Sequence, residues 1–183
     1  MEYLPRTVDR ELDELLPDVS AIALDGPKGV GKTATARRRA DAEWRLDDPA
    51  QREVVKADFG LASAPEGTLL IDEWQLVPQV WDAVRRHVDA GAPTARFLLT
   101  GSATPVGAAG THSGAGRILS LRMRPMALHE RGIVTPSVSL SKLLAGTQGE
   151  LGGSTAFSVT DYASAIATSG FPGILAASPR ARR

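Results

Sequence analysis

Residues 23–40 read ALDGPKGVGKTATARRRA, and the fold turns on how this stretch is read. Val19–Leu24 is a short apolar run of β type. It breaks into Gly26-Pro27-Lys28-Gly29-Val30-Gly31-Lys32-Thr33, and the residues from 32 to 43 then lack Gly and Pro. The spacing predicts a strand, a glycine-rich loop and a helix in that order. The central eight residues fit G-x-x-x-x-G-K-[ST], a pattern with a mechanism behind it. Glycines adopt φ values that other residues resist, so successive backbone N–H groups can converge on one anion. The helix start adds free N–H groups and its positive dipole end. Lys32 is placed to reach β- and γ-phosphates, and Thr33 to set its hydroxyl on Mg²⁺. The competing reading is a plain turn that happens to hold Gly-Lys-Thr, which average residue usage produces in roughly one chain in a hundred. The flanking strand and helix favour the phosphate site.

Working outward, the sequence alternates apolar strands with helical patterns. A helix is expected over 8–16, ended by Pro17, and a strand over 44–46 closed by Asp47-Asp48-Pro49. Further helices are expected over 50–57 and 77–91, the latter with Val80, Val84 and Val88 on one face beside Trp81. LLID (69–72) and RFLLTG (96–101) are unbroken apolar runs, as strands buried on both faces are. RILSLRM (117–123) supplies a fifth strand after a Gly-rich loop, 103–116, and a short helical turn is expected over 126–131. The pattern is that of an α/β fold with a mainly parallel sheet. Beyond residue 133 the text turns Gly/Ser/Thr-rich. Two helices, 137–145 and 161–168, are expected there, separated by QGELGGST. The division expected is 1–133 for the α/β domain and 134–183 for a helical appendage or linker.

Two carboxylates, Asp72 and Glu73, end the 69–72 strand, and ligands of open α/β sheets bind at the carboxyl edge. Asp72 is expected in the Mg²⁺ shell, directed at the Thr33 hydroxyl, and Glu73 as general base on the attacking water. A strand that merely ends in solvated acids is the alternative, and it loses ground beside the glycine loop. FLLTGSAT ends in Thr100, Ser102 and Thr104, of which Ser102 is the candidate to hold water or sense the γ-phosphate. Arg117 opens the fifth strand. It is a candidate arginine finger, worth ~10³–10⁵ in rate where such a residue acts, against the reading of a strand-flanking surface charge.

Composition narrows the classes. The 183 residues carry 21 basic and 21 acidic side chains, so no net charge argues for nucleic acid. There is no Cys, and the three His are scattered, which excludes disulfide and thiolate frameworks and leaves little for a zinc site. The N-terminus has no apolar core of a signal peptide and no window approaches a membrane span. A cytoplasmic location is therefore expected. Asn is absent, so the N-K-x-D pattern that reads guanine is absent too.

Together YLPR (3–6), GPKGVGKT, LDDP (46–49), LLIDEWQ, FLLTGSAT, SGAGRI, LRMRPMALHERG and GFPG (170–173) resemble the AAA+ ATPases. More closely, they resemble a prokaryotic group of them with an N-terminal ATPase domain and a C-terminal domain of unknown function. The resemblance implies a three-layer P-loop fold with sheet order 5-1-4-3-2, ATP as ligand and Mg²⁺ as cofactor. By position it implies that Gly26, Pro27, Lys28, Gly29, Val30, Gly31, Lys32 and Thr33 bind phosphate. It implies that Thr33 and Asp72 hold the metal, and that Glu73, Ser102 and Arg117 serve catalysis. The group's C-terminal domain has no counterpart here, so a truncated product is expected. Three activities share such a loop. The leading expectation is Mg²⁺-dependent ATP hydrolysis coupled to an unknown client, with self-association supplying Arg117 to a neighbour. The alternatives are a small-molecule kinase and a nucleotide-sensing module that does not hydrolyse.

Overall fold

The computed structural model describes residues 2–102, 114–151 and 155–178. The chain divides into two compact units: Pro5–Arg124, and Met1–Leu4 with Pro125–Arg183. The first is built on five strands, β1 (Ala21–Asp25), β2 (Ala42–Arg45), β3 (Leu69–Asp72), β4 (Phe97–Gly101) and β5 (Leu119–Arg122). They form one all-parallel sheet in the order β2-β3-β4-β1-β5. This is the 5-1-4-3-2 order expected of a P-loop fold. It sets β4 between the glycine-loop strand and the Asp-Glu strand.

The helices of this unit are α1 (Thr7–Leu15), α2 (Lys32–Arg37), α3 (Pro49–Ala57) and α4 (Gln79–Asp89). Strand residues alternate between faces. Ala21, Ala23, Leu69, Ile71, Phe97 and Leu99 join Val55 of α3 and Val80, Trp81, Ala83 and Val84 of α4 in one buried cluster. Ile22, Leu24, Leu70 and Leu98, on the other face, are fully buried as well. That double burial is what the unbroken apolar runs required. Trp74 and Trp81 pack with ring centroids 4.9 Å apart, a contact worth ~0.5–1.5 kcal/mol beyond its burial. Asp48 caps α3 by accepting from Ala50 N at 2.9 Å, and Pro49 takes the first turn, where its missing N–H costs nothing.

One expectation fails in detail. Helix α2 stops at Arg37 rather than running to 43, and β2 begins at Ala42 rather than Trp44. The backbone N–H groups of Asp41 and Ala42 both donate to Thr68 O, and Asp41 Oδ2 accepts from Thr68 N at 2.8 Å. Pairing with β3 wins over the helical propensity of an Ala/Arg segment. Arg39, past the helix end, instead ion-pairs with Asp9 and Asp13 of α1.

The second unit carries α5 (Leu140–Leu144), α6 (Val159–Thr168) and α7 (Pro172–Ala176). Residues 126–131 hold the single helical turn expected there, closed by Arg131 N donating to Ala127 O at 3.1 Å. They are tied to α6 and the residues after it: Met126 N donates to Gly170 O at 2.7 Å and Arg131 Nη1 to Ala165 O at 2.9 Å. Most of the Gly-rich loop, including Thr104, lies outside the described residues, as do the core of QGELGGST and the C-terminal arginines.

Candidate functional site

The loop between β1 and α2 bends because three glycines take positive φ: Gly26 at 146°, Gly29 at 80° and Gly31 at 106°. Gly26 is required twice over, since a Cβ there would collide with the carbonyl oxygen of Met123. Lys32, the first residue of α2, folds back over the loop. Its Nζ donates to Gly26 O at 2.8 Å and to Pro27 O at 2.9 Å. Thr33 comes next, and its Oγ1 donates to Asp72 Oδ1 across 2.8 Å. Thr100 Oγ1, register partner of Asp72 on β4, donates to the same oxygen. The carboxyl ends of β1, β3 and β4 thus bring the loop, its lysine and threonine, and Asp72 to one edge of the sheet.

Glu73 sits on that edge in the left-handed conformation, φ 55° and ψ 42°, as the cap of a single 3-10 turn, Trp74–Leu76. Non-glycine residues held there cost energy and cluster at functional sites. Ser102 is exposed just past the end of β4, with its Oγ 3.5 Å from Gln75 Nε2. Arg117 is placed elsewhere. β5 runs parallel to β1 with Ile22 opposite Leu119, so Arg117 stands at the amino edge, away from the loop. There its Nε donates to Asp89 Oδ1 at 2.8 Å.

A family model described as an AAA domain matches residues 18–131. This chain belongs to the AAA domain family. Two uncharacterized mycobacterial proteins, one from Mycobacterium bovis and one from Mycobacterium tuberculosis, are each 31% identical to it over 137 residues. The match covers 69% of this chain and 30% of each relative, so the chain spans less than a third of their length. An AAA-type domain is a nucleotide-binding domain of the P-loop kind.

The electrostatics of the AAA domain's loop are those of a cation in partial burial. Desolvation holds the Lys32 ammonium below the usual lysine range, opposed by Glu73, Asp72 and Asp25. Asp25, the last residue of β1, is 6% exposed, and its Oδ1 has no hydrogen-bond partner among the described residues. Burial pushes its carboxyl up, opposed by Arg122, its register partner on β5, and by Lys32. The chemistry of the donor set fits Mg²⁺, which takes hard oxygen ligands, keeps several waters and is commonly held by one or two protein groups plus phosphates. Thr33 Oγ1 and Asp72 are such a pair. Among the described residues no cluster of three or more His, Cys, Asp or Glu is placed to hold a metal without a phosphate.

Two contributors escaped the motif reading. Arg6 is buried, and its guanidinium donates to Val30 O of the loop at 2.7 Å and to Arg124 O at 2.6 Å. YLPR carried a signal only as part of a family likeness, because nothing local says that an N-terminal arginine grips a loop 24 residues on. Gln75, inside DEWQ, donates through Nε2 to Glu73 Oε2. Among the described residues, no helix is long and apolar enough to cross a membrane.

Proposed function

We propose that this AAA domain binds ATP with Mg²⁺ and hydrolyses it to ADP and phosphate, in the cytoplasm, where both are supplied. The hydrolysis would be coupled to a client protein, within an assembly of several copies. The observation that carries this reading is the Thr33–Asp72 hydrogen bond, a hydroxyl and a carboxylate already joined beside the lysine of a glycine loop.

Each residue has its own part in the reaction. The loop N–H groups of 26–33 surround the β-phosphate, and Lys32 exchanges its two carbonyl partners for β- and γ-oxygens. Thr33 and Asp72 would hold the cation, which would supply charge neutralisation to the phosphates. Glu73 takes a proton from a water molecule as the water oxygen bonds to the γ-phosphorus. The bond from that phosphorus to the bridging oxygen breaks, and its electron pair leaves with ADP. Ser102 lies at the tip of the strand between loop and carboxylates, where its hydroxyl can meet a γ-oxygen.

Two variants test the reading. Lys32→Ala is expected to abolish ATP·Mg²⁺ binding in calorimetry, and unchanged affinity overturns the site. Glu73→Gln is expected to bind ATP normally while phosphate release falls by about 10²-fold or more, the usual scale of general-base loss. Tight binding with no release from the unmodified chain would make the domain a nucleotide sensor instead. Phosphoryl transfer to a small acceptor would make it a kinase.

A further inference from the structure

Gln75 is a polar side chain of the site that the proposed hydrolysis does not use. It lies in the turn after β3, with its amide wedged between the ends of β3 and β4. Its Nε2 donates to Glu73 Oε2 and lies 3.5 Å from Ser102 Oγ. Its Oε1 is buried with no hydrogen-bond partner among the described residues. The fit is close enough to dictate a neighbour: a Cβ on Gly101 would strike Gln75 Oε1 and crowd the indole Nε1 of Trp74. Gly101 has an ordinary strand conformation with no positive φ. A side chain at 101 would have to displace the Gln75 amide and the edge of the Trp74 indole, so glycine serves there by the space it leaves and not by its backbone freedom.

We propose that Gln75 is a positioning residue for hydrolysis, orienting Glu73 and Ser102 together. This rests on Glu73 being the general base. An ionised carboxylate only accepts hydrogen bonds, so the amide must face it with N–H. Engaging Oε2 leaves Oε1 to receive the proton from water. A neutral amide orients the carboxylate without the charge of a Lys or Arg, which would suppress its basicity. The second Nε2 proton is directed at the Ser102 oxygen. A serine hydroxyl rotates freely unless something fixes it. Once its oxygen accepts from Gln75, its own proton is turned outward, where a γ-phosphate oxygen would accept it. Gln75 thus sets the acceptor that faces water and the donor that faces phosphate. The buried, unpartnered Oε1 is the cost of holding the amide in this orientation.

The test is a double-mutant cycle in the full chain, using Gln75→Met, which keeps an unbranched side chain of similar length and removes the donors. Gln75→Met is expected to lower kcat about tenfold, the scale of one charge-assisted hydrogen bond, with ATP affinity within about twofold of the parent. In a Glu73→Gln background it should lower turnover by clearly less than tenfold, because the oriented base is already gone and only the Ser102 arm remains. An unchanged kcat, a raised KM alone, or a full loss added on top of Glu73→Gln overturns the proposal. The same cycle read by denaturant unfolding of the nucleotide-free protein should show non-additive stabilities, and additivity there overturns the contact whether or not the protein turns over. If Glu73→Gln leaves turnover intact, the general-base reading has failed instead. If Glu73→Gln slows turnover and Gln75→Met does not, only the positioning role of Gln75 has failed.

Discussion

At the scale of single residues, Asp25 is the least comfortable group in the sheet. It ends β1 at 6% exposure with an unpartnered Oδ1, and its carboxyl is held above the usual range by burial. The sign of its effect is set by proton binding. Between the unfolded value near 4 and the higher folded value, the native state binds more protons than the unfolded chain, so stability falls as pH rises through that window. Above the folded value the cost stays in full. Asp25→Asn removes it, with Arg122 and Lys32 left in place. The Tm gain of Asp25→Asn over the parent should therefore be near zero at pH 3 and largest at neutral pH, about 2–4 °C for each kcal/mol recovered. A gain that is flat with pH would mean that Asp25 takes up its proton alike in the folded and unfolded chain, with no burial penalty on its charge.

At the scale of elements, the sequence shows its strands better than its boundaries. The stretches 69–71 and 97–99 were legible because burial on both faces leaves them no polar residue. The loop was legible because its glycines are demanded by backbone geometry, as Gly26 against Met123 makes plain. The end of α2 was not, since Ala and Arg favour helix locally and only the distant Thr68 carbonyl draws Asp41 and Ala42 into the sheet. Arg6 belongs to the same class: its partners Val30 and Arg124 lie far along the chain, one in the loop and one just past β5. Truncating it would leave two carbonyls without that donor, each worth ~1–3 kcal/mol if buried and unsatisfied. Arg6→Ala should therefore destabilise the unit by about 2 kcal/mol or more in denaturant unfolding. Arg6→Lys should recover little, because an ammonium cannot reproduce the two-pronged reach of a guanidinium. Full recovery by lysine would reduce Arg6 to a single contact.

At the scale of the whole molecule, the open question is Arg117. The all-parallel sheet puts the entrance of β5 at the amino edge, and the nucleotide loop lies at the carboxyl edge. In the proposed site Arg117 would therefore stand out of reach of the γ-phosphate of its own chain. Its guanidinium pairs with Asp89 at the end of α4, both side chains about half exposed (46% and 41%). An exposed pair of this kind contributes little stability, ~0–1 kcal/mol, so exchanging Asp89 for a phosphate presented by a neighbouring copy costs little. If Arg117 acts in trans, specific activity should rise with protein concentration and level off as copies associate. Neither Lys32→Ala, which lacks a nucleotide, nor Arg117→Ala, which lacks the finger, should turn over alone. Mixed in equal amounts they should recover part of the activity, because a Lys32→Ala copy still offers Arg117 to an Arg117→Ala copy that holds ATP. Asp89→Ala separates this from a structural role. It breaks the same ion pair but frees the guanidinium, so it should preserve or raise activity. If Asp89→Ala and Arg117→Ala lose activity alike and the mixture recovers none, Arg117 is a fastener between α4 and β5 and nothing more.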